Sequence, residues 1–399
     1  MFIGIDIRSL MSGPFSGVGV YTYQLLRHLF AIDQSNDYFL FYNSRRSVEQ
    51  ELPKFISPHV FPRGFRYPNK ILNFSLAFFG YPYLDRLMSD VVSTSVSSHG
   101  KTTTRREIDV FFTPNWLFTA LSPKVKKILN IHDLAPFRFP EFFSKKQWLW
   151  HRFLRVKKLI RETDTIICVS EHTRQDLIEF FHVPFEKTVV IHEGVAQEYF
   201  ITATNTHRQK VQEKYHLPEQ FMLTMSNIEP RKNILGIIES FEIFQKISPN
   251  SDLHLVIAGG SPWQNRYAKQ VKQRAGTSPV SQLIHLIGYV DPNDQTTLLQ
   301  LARLFLFPSF YEGFGLPILE SMASGVPVIA SNVSSIPEIV ENAAPLVDPY
   351  NLHDLAYTMF ELLNNNTLYT LYRERGAAQA QKFRWGDTAE KTIQCFQKS

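Results

Sequence analysis

The sequence predicts an α/β fold of two doubly wound, Rossmann-like domains. The chain has 399 residues, which is more than one hydrophobic core usually supports. Apolar strand candidates alternate with helical patterns in two successive series. A polar stretch at 201–220 separates the two series and fits a linker with a short helix. We therefore place a first domain at 1–200, a second domain at 201–384 and a C-terminal helix at 385–399.

Each predicted strand is a short apolar run bounded by turn residues or by a helical pattern. In the first series we expect strands at 2–7, 38–42, 110–113, 128–132, 165–170 and 189–192. In the second series we expect strands at 221–226, 254–258, 284–287, 304–307, 327–330 and 345–347. Runs of this kind are typical of parallel sheets that helices cover on both faces.

Two segments do not follow this alternation. Residues 63–98 are rich in Phe, Tyr and Leu, and we expect helical stretches there. They form either a packed excursion or a platform for an acceptor or an anionic membrane. The basic residues of this segment that we expect to face a membrane are Arg63, Arg66, Lys70 and Arg86. Residues 385–396 predict an amphipathic helix with Asp387 as its N-cap.

The composition of the chain limits which classes of protein and of binding partner it fits. Hydrophobic residues make up 44% and charged residues 20% of the chain, as in an ordinary globular protein. The net charge of +5 is compatible with a polyphosphate ligand or an anionic membrane surface. No dense Lys/Arg block occurs, which argues against nucleic acid. The N-terminus enters a strand directly and no apolar run reaches ~18 residues, so we expect a cytosolic protein, free or attached to a membrane.

The most informative segment is a strand-to-helix junction near residue 312. Pro308 ends the apolar run 304–307, Gly313 and Gly315 bracket a turn, and Pro317 suits the first helical position. Gly325 suits the position at the C-terminal end of this helix, where a residue in the left-handed conformation commonly ends a helix. In a parallel α/β sheet, ligands bind beyond the carboxyl ends of the strands, where helix N-termini present N–H groups to phosphate. The junction therefore predicts a phosphate site.

Residues of this junction suit a nucleotide sugar. The backbone N–H groups of Phe314, Gly315 and Leu316 would hold phosphate oxygens. Glu312, in the turn, and Glu320, on the first turns of the helix, are acceptors for the hydroxyl groups of a sugar or ribose. The alternative is a turn that serves packing alone, with both glutamates solvated.

The same stretch resembles the signature of family-4 glycosyltransferases with the GT-B fold. That signature is E-G-F-G-L-P-x-x-E followed by A-x-G-x-P-V-I-A, and this chain carries it from Glu312 to Ala330. The resemblance implies two Rossmann-like domains facing a central cleft, with a C-terminal helix that crosses back to the first domain. It also implies transfer of a sugar with retention of configuration.

A glycine-rich loop after the first predicted strand contains Gly17 and Gly19, and a helix follows it through Leu29. The two glycines allow the backbone close to a phosphate or sugar. The loop fails as a dinucleotide-binding fingerprint, because Thr22 occupies the position of the third glycine and no acidic residue ends the strand 38–42, and this argues against an NAD site. The loop resembles that of family-4 enzymes, especially a branch of bacterial mannosyltransferases that build surface polysaccharides.

His132 follows the fourth predicted strand, in the sequence I-H-D-L. One interpretation is a histidine held at a strand end by its neighbour Asp133. The other rests on the family resemblance, in which a histidine in this context contacts the donor sugar and phosphate. That resemblance gives Asp133 the part of an orienting neighbour.

Arg231 and Lys232 follow the first strand of the second series, in N-I-E-P-R-K-N. Adjacent cations in a loop are usually solvated, but this pair resembles the diphosphate clamp of the family. By the same resemblance, Glu312 would hold hydroxyl groups of the donor sugar and Glu320 the ribose. Gly259 would line the same cleft, although a plain strand-end turn explains it nearly as well.

Few residues suggest metal or redox chemistry. Cys168 and Cys395 are the only cysteines, and we expect inert core thiols rather than a disulfide framework. Many glycosyltransferases hold a metal with D-x-D, and this chain contains no D-x-D. We therefore expect no metal, with basic residues and helix N-termini stabilising the departing diphosphate.

Together these features predict a metal-independent, retaining hexosyltransferase with a glycan or lipid-linked acceptor. The resemblance of the N-terminal loop favours GDP-mannose as the donor, with UDP-glucose or UDP-N-acetylglucosamine as alternatives. Two other classes remain open at this point. One is a nucleotide-sugar epimerase or phosphorylase of the same shape, and the other is a nucleotide-binding scaffold with a dead site.

Overall fold

The structure is a computed structural model that describes residues 1–11, 17–46, 52–55, 57–89, 93–97, 100–104, 107–144, 154–260 and 266–398. The chain divides into two units. The first comprises Met1–Glu193 with Trp385–Ser399, and the second comprises Gly194–Arg384. Each unit contains a parallel sheet flanked by helices, which confirms the predicted pair of Rossmann-like folds.

In the first unit, seven of the described strands form a parallel sheet in the order β3-β2-β1-β6-β7-β8-β9. The described strands are β1 Phe2–Asp6, β2 Asp37–Asn43, β3 Val60–Phe65, β4 Ser93–Ser97, β5 Gly100–Thr104, β6 Val110–Thr113, β7 Lys126–Ile131, β8 Thr165–Cys168 and β9 Thr188–Val190. β4 and β5 pair with each other as an antiparallel hairpin. In β1, Ile3 and Ile5 are fully buried because β2 and β6 flank that strand.

The C-terminal helix packs on the first unit, as predicted. The ring of Trp385 lies 5.8 Å from that of Tyr21, and the ring of Phe396 lies 5.7 Å from that of Phe112. The predicted N-cap is wrong, because the helix begins at Trp385 and Asp387 lies in its first turn. The described helices of this unit are Gly17–Ile32, Asn69–Phe78, Leu84–Ser89, Ala135–Arg138, Val156–Glu162, Glu171–Phe181 and Trp385–Gln397.

The segment 63–98 is less helical than the sequence predicts. Its first residues belong to β3, an edge strand that contains Pro62 and Gly64, two residues that oppose a strand prediction. The segment then forms the helices Asn69–Phe78 and Leu84–Ser89 before β4. Buried leucines of these helices pack against β2 and β6, so one side of the excursion is core.

In the second unit, six described strands form a parallel sheet in the order β12-β11-β10-β13-β14-β15. The strands are β10 Phe221–Met225, β11 His254–Ala258, β12 Ile284–Gly288, β13 Leu304–Phe307, β14 Val328–Ser331 and β15 Leu346–Val347. The helices are Asn205–Lys214, Ile234–Ile247, Arg266–Thr277, Pro292–Leu301, Leu316–Ala323, Ile336–Val340, Leu352–Asn364 and Asn366–Ala380. Each strand expected from the sequence in either unit is observed, with its ends shifted by no more than two residues.

The second core forms around the helix Ile234–Ile247. Its buried residues Ile234, Ile237, Phe241 and Phe244 recur at helical spacing and pack against β10, β11 and β13. This burial explains why the strands of the sheet read as continuous apolar runs. In the described part of the chain, no helix combines the length and the apolar character needed to cross a bilayer.

The segment expected to be a linker is packed within the second unit. Lys214, at the end of the helix Asn205–Lys214, pairs with Asp294 at 2.6 Å, and the hydroxyl of Tyr215 donates to the same carboxylate at 2.9 Å. The second unit already begins at Gly194, because the N–H of Val195 donates to the carbonyl of Phe383. The boundary between the two units therefore lies before the helix Asn205–Lys214.

Candidate active site

The strand-to-helix junction of the second unit has the conformation that its sequence predicts. β13 is fully buried, and the helix Leu316–Ala323 begins directly after Gly315, with Pro317 in its first turn. Gly315 has φ of 114° and Gly325 has φ of 75°, values in the left-handed region that favours glycine. The N-terminus of this helix therefore lies at the carboxyl edge of the sheet.

Glu312 joins the two cations that the sequence assigns to a diphosphate clamp. Its Oε1 lies 2.5 Å from Nζ of Lys232, and its Oε2 lies 2.7 Å from Nη1 of Arg231. Arg231 Nε also pairs with Glu229 Oε1 at 2.8 Å. Glu312 and Lys232 are only 5% and 8% exposed. The sequence predicted these three residues as a site, but it did not predict that Glu312 pairs directly with both cations.

Both buried charges depend on their neighbours. Burial opposes the ionisation of Glu312, but the charges of Arg231 and Lys232 outweigh it and lower the pKa of the carboxyl group. Burial, aided by Arg231, lowers the pKa of Lys232, while Glu312 opposes that change. Because removing one member leaves the others buried without compensation, the cluster acts as a unit.

Asn233 fixes the loop that carries the two cations. It adopts a left-handed conformation with φ of 56° and precedes the helix Ile234–Ile247. Its side-chain amide donates to the carbonyls of Pro308 and Pro349, at 3.2 Å and 2.8 Å. Gly236 is needed here, because a Cβ at that position would lie 2.4 Å from Asn233 Oδ1. Sequence reasoning missed Asn233, although Asn is one of the residues that tolerate a left-handed conformation, and its side chain makes no capping hydrogen bond to the helix.

Serines after β14 hold the turn that carries Glu312. The backbone N–H of Glu312 donates to Ser334 Oγ at 3.0 Å. Ser335 Oγ donates to the carbonyls of Glu312 and Phe314, each at 3.0 Å. Phe314 itself is 4% exposed, and its ring contacts that of Phe383 at 5.8 Å. Its side chain is therefore part of the core, so only its backbone is placed to serve a ligand.

Glu320 lies on the second turn of the helix Leu316–Ala323 and interacts with Tyr199. Tyr199 is in the short 3₁₀ helix Gln197–Phe200, which packs against that helix. Burial first, and then the charge and hydrogen bond of Glu320, raise the pKa of the Tyr199 hydroxyl well above its usual value. Sequence reasoning missed Tyr199, because nothing in its local pattern shows a contact with a distant helix.

Gly259 has a clear structural role. Its φ is 133°, and a Cβ there would lie 1.8 Å from the carbonyl oxygen of Ser226, at the end of the adjacent β10. Its N–H donates to the carbonyl of Gly288 at 2.7 Å. The strand-end turn considered from the sequence therefore accounts for this glycine.

In the first unit, His132 follows β7 and is oriented by Glu193 rather than by Asp133. Its Nδ1 lies 3.2 Å from Glu193 Oε1, and its Nε2 lies 3.0 Å from the carbonyl oxygen of Pro114. Its ring meets that of Tyr21 edge to face at 4.6 Å. Asp133 instead accepts a hydrogen bond from the N–H of Ala135. The expectation for Asp133 is therefore wrong.

Gly17 and Gly19 belong to a helix rather than to a loop. The helix Gly17–Ile32 starts at Gly17, so both glycines lie in its first turn. The rest of the predicted glycine-rich loop, residues 12–16, lies outside the described residues. No three His, Cys, Asp or Glu side chains gather as metal ligands within the ranges that the structure describes.

Two units of this kind, each a parallel sheet flanked by helices, are the architecture of the GT-B fold. The chain resembles Anabaena HepE solved with UDP and glucose, with a TM-score of 0.71 and 17% identity over 100% of this chain and 99% of that chain. This likeness shows the fold. Residues 205–382 match the model described as glycosyl transferases group 1, and residues 15–199 match that of glycosyltransferase family 4.

Curated relatives agree. O-antigen chain mannosyltransferase B of Escherichia coli is 32% identical over 275 residues, or 68% of this chain and 70% of that protein. The serotype-specific mannosyltransferase WbdA of Escherichia coli is 28% identical over 272 residues, which are 68% of this chain and 33% of WbdA. The chain therefore belongs to glycosyltransferase family 4, as its sequence motifs indicate.

Proposed function

We propose that this glycosyltransferase moves mannose from GDP-mannose to a glycan or lipid-linked acceptor, with retention of configuration and without a metal. We base this proposal on the cluster of Arg231, Lys232 and Glu312 beside the N-terminus of the helix Leu316–Ala323, in which Lys232 and Glu312 are buried. A departing nucleoside diphosphate is a dianionic or trianionic group, and such a cluster provides the matching cations.

The cluster is better suited to negative charge that develops on a leaving group during the reaction than to negative charge that is present beforehand. Glu312 and Glu229 already balance the two positive charges, so Arg231 and Lys232 are held in place before a ligand arrives. An ammonium group has three N–H donors, and the described hydrogen bonds of Lys232 use one of them. Its Nζ also lies 4.8 Å from the centre of the Phe307 ring. Preorganised donors of this kind stabilise charge that develops during reaction, without the cost of reorienting at that moment. Glu312 thus positions the cations, and its remaining lone pairs suit hydroxyl groups of the donor sugar.

The proposed reaction needs no base from the protein. The bond between the anomeric carbon and the diphosphate oxygen breaks, and the acceptor oxygen bonds to that carbon on the same face. The acceptor proton passes to the departing diphosphate oxygen. Positive charge builds on the sugar ring and negative charge on the diphosphate. We assign the diphosphate to Arg231, Lys232, Gly315 and Leu316.

The remaining residues keep their proposed parts. His132, held by Glu193, would contact the donor sugar and phosphate, and Glu320 would bind the ribose alongside Tyr199. Gly17 and Gly19 stand at a helix N-terminus, which suits a phosphate or sugar. Gly259 has no side chain, so it would line the site only through its backbone.

Mannose as the transferred sugar is supported by the curated relatives, which are named as mannosyltransferases. GDP as its carrier is proposed from the resemblance of the N-terminal loop. A UDP-sugar is the alternative, since HepE was solved with UDP and glucose. A thermal-shift panel of GDP, UDP and their sugars separates the two. Ligand at about 100 times its Kd adds about 2.7 kcal/mol to the free energy of unfolding. Stabilisation by UDP compounds and none by GDP compounds would reject the donor proposed here.

Metal independence is tested by chelation. If Arg231 and Lys232 stabilise the diphosphate, sugar transfer should continue at an unchanged rate in excess EDTA. Loss of activity in EDTA, with recovery on adding Mg²⁺ or Mn²⁺, would show that a carboxylate site for metal had been missed.

We further propose a cytoplasmic location, with peripheral contact on the inner face of the plasma membrane.

A further inference from the structure

The helix Asn69–Phe78 of the first unit has two apolar faces. Leu72 and Leu76 are 3% and 5% exposed and lie in the core beside β2 and β6. On the opposite side, Ile71 and Phe74 are 66% and 54% exposed. A surface helix normally carries polar residues on the side away from the core. The outward face of this helix is therefore built of residues that favour an apolar environment.

The turn after this helix extends the same apolar surface. Phe79 and Tyr81 are 74% and 65% exposed. Gly80, with φ of 62°, reverses the chain between them, and Ser75 Oγ donates to the carbonyl of Tyr81 at 2.5 Å. The helix and the turn are thus tied together. We call Ile71, Phe74, Phe79 and Tyr81 the aromatic face. Concentrated exposed apolar side chains of this kind mark an interaction surface.

Within the segment that carries the aromatic face, the exposed charges are positive. In residues 66–89 the charged side chains are Arg66, Lys70, Asp85 and Arg86. The three basic residues are exposed, whereas Asp85 is 4% exposed and accepts hydrogen bonds from Ser122. Arg155 adds a further cation, since its guanidinium donates to the carbonyl of Ala77 at the end of the helix. Arg63 does not contribute as the sequence suggested, because it is half-buried and stacks over Phe39.

We propose that the aromatic face, with Arg66, Lys70, Arg86 and Arg155 around it, is a docking surface for an anionic lipid membrane. Apolar side chains would enter the boundary between headgroups and acyl chains, and the basic side chains would contact anionic headgroups. A second copy of this chain is a poorer occupant, because it would bring the same positive charges into contact. This inference does not depend on the donor or the reaction proposed above.

The test is flotation of the full chain with vesicles in a salt series. One set contains equimolar phosphatidylglycerol and phosphatidylcholine, and the other contains phosphatidylcholine alone. We expect binding to the anionic set, falling as NaCl rises, because salt screens these charges over about 8 Å at physiological strength. The variant Phe74→Ser with Phe79→Ser should lose about 100-fold in partition coefficient, since each buried aromatic contributes about tenfold or more.

The charges are tested by Arg66→Gln with Lys70→Gln, which should weaken binding about 25-fold, or about fivefold per basic residue. Ile201→Ser with Tyr357→Ser is the matched control for apolar loss, as those side chains are 61% and 57% exposed in the second unit. Lys210→Gln with Lys272→Gln is the control for charge, since both lysines are exposed. Both controls should bind vesicles like the wild type.

The outcomes distinguish the occupants. Absence of wild-type binding to both vesicle sets would overturn the proposal, as would equal binding by Phe74→Ser with Phe79→Ser. A dimer in sedimentation velocity that the same double variant abolishes would assign the face to a second copy and also overturn it. Donor hydrolysis in solution should be unchanged in every variant, so failure here is separate from failure of the proposed reaction.

Discussion

At the scale of single residues, the central feature is one carboxylate that holds two cations. Glu312 is buried in contact with Lys232 and Arg231, and a buried charge of this kind persists only with its partners. This arrangement changes the part expected for Glu312. We propose that its first contribution is to place the cations, and that sugar hydroxyl groups would share its remaining lone pairs.

Lys232→Ala should lower kcat about 100-fold with little change in KM for the donor. The reason is that its contact with the diphosphate strengthens as the leaving group separates. Steady-state kinetics on folded protein would measure this. Lys214→Ala is a matched control, since Lys214 pairs with Asp294 at 2.6 Å on the surface of the same unit. An unchanged kcat for Lys232→Ala would remove this residue from the mechanism.

Glu320→Ala should raise the Kd of the free nucleoside diphosphate and of the donor by a similar factor, about tenfold. A ribose contact is made before and during reaction, so kcat at saturating donor should change little. Calorimetric titration of both ligands would measure it, with Glu341→Ala as a control on an exposed ion pair. A fall in kcat with unaltered affinity would contradict the ribose assignment.

At the scale of elements, backbone conformation decides several positions near the site. Gly259 brings the end of β11 against Ser226 at the end of β10, and Asn233 joins the loop after β10 to the ends of β13 and β15. These contacts hold the carboxyl ends of neighbouring strands close together. They explain why small or left-handed residues occur at this edge of the sheet.

Gly259→Ala should destabilise the second unit by at least about 2 kcal/mol, because φ of 133° and the 1.8 Å approach to Ser226 both exclude a Cβ. Gly260→Ala is the matched control, since no atom lies within 4 Å of the Cβ that it adds. Urea unfolding of both variants would measure the difference. Equal stability of the two variants would show that the close approach does not exist.

The turn between the helix Gly17–Ile32 and β2 predicts a dependence of stability on pH. Burial opposes ionisation of Asp33, but hydrogen bonds, first from Tyr38 and then from Asn36, lower its pKa from 3.8 to about 2. Because the folded pKa is below the unfolded one, the stabilisation is complete above about pH 4 and is lost as pH falls through 2.

The size of this contribution is about 1–2 kcal/mol, after allowing for solvent screening. Asp33→Asn should therefore be less stable than the wild type at pH 5, and the gap should narrow as pH falls towards 2. Urea unfolding across this range would measure it. A gap that is independent of pH would show that the Asp33 carboxylate is not the group that titrates.

At the scale of the whole molecule, buried apolar runs made the two sheets predictable. β3 was missed because Pro62 and Gly64 interrupt an edge strand that is half exposed, and the hairpin of β4 and β5 was missed because it is rich in Ser and Thr. Short-range motifs singled out Arg231, Lys232 and Glu312, and the structure brings these three side chains into contact. The contacts of His132 with Glu193 and of Glu320 with Tyr199 were not predictable, because each joins residues far apart in sequence.

Proton NMR of GDP-mannose incubated with the wild-type chain, without acceptor, tests the donor and the retention of configuration together. We expect release of GDP, with mannose first appearing in the configuration that it has in the donor, and slower release by Lys232→Ala. Release of the opposite anomer would contradict retention. Conversion of the sugar without release of GDP would indicate an epimerase, and no reaction with GDP-mannose under conditions where UDP-glucose is consumed would contradict the proposed donor.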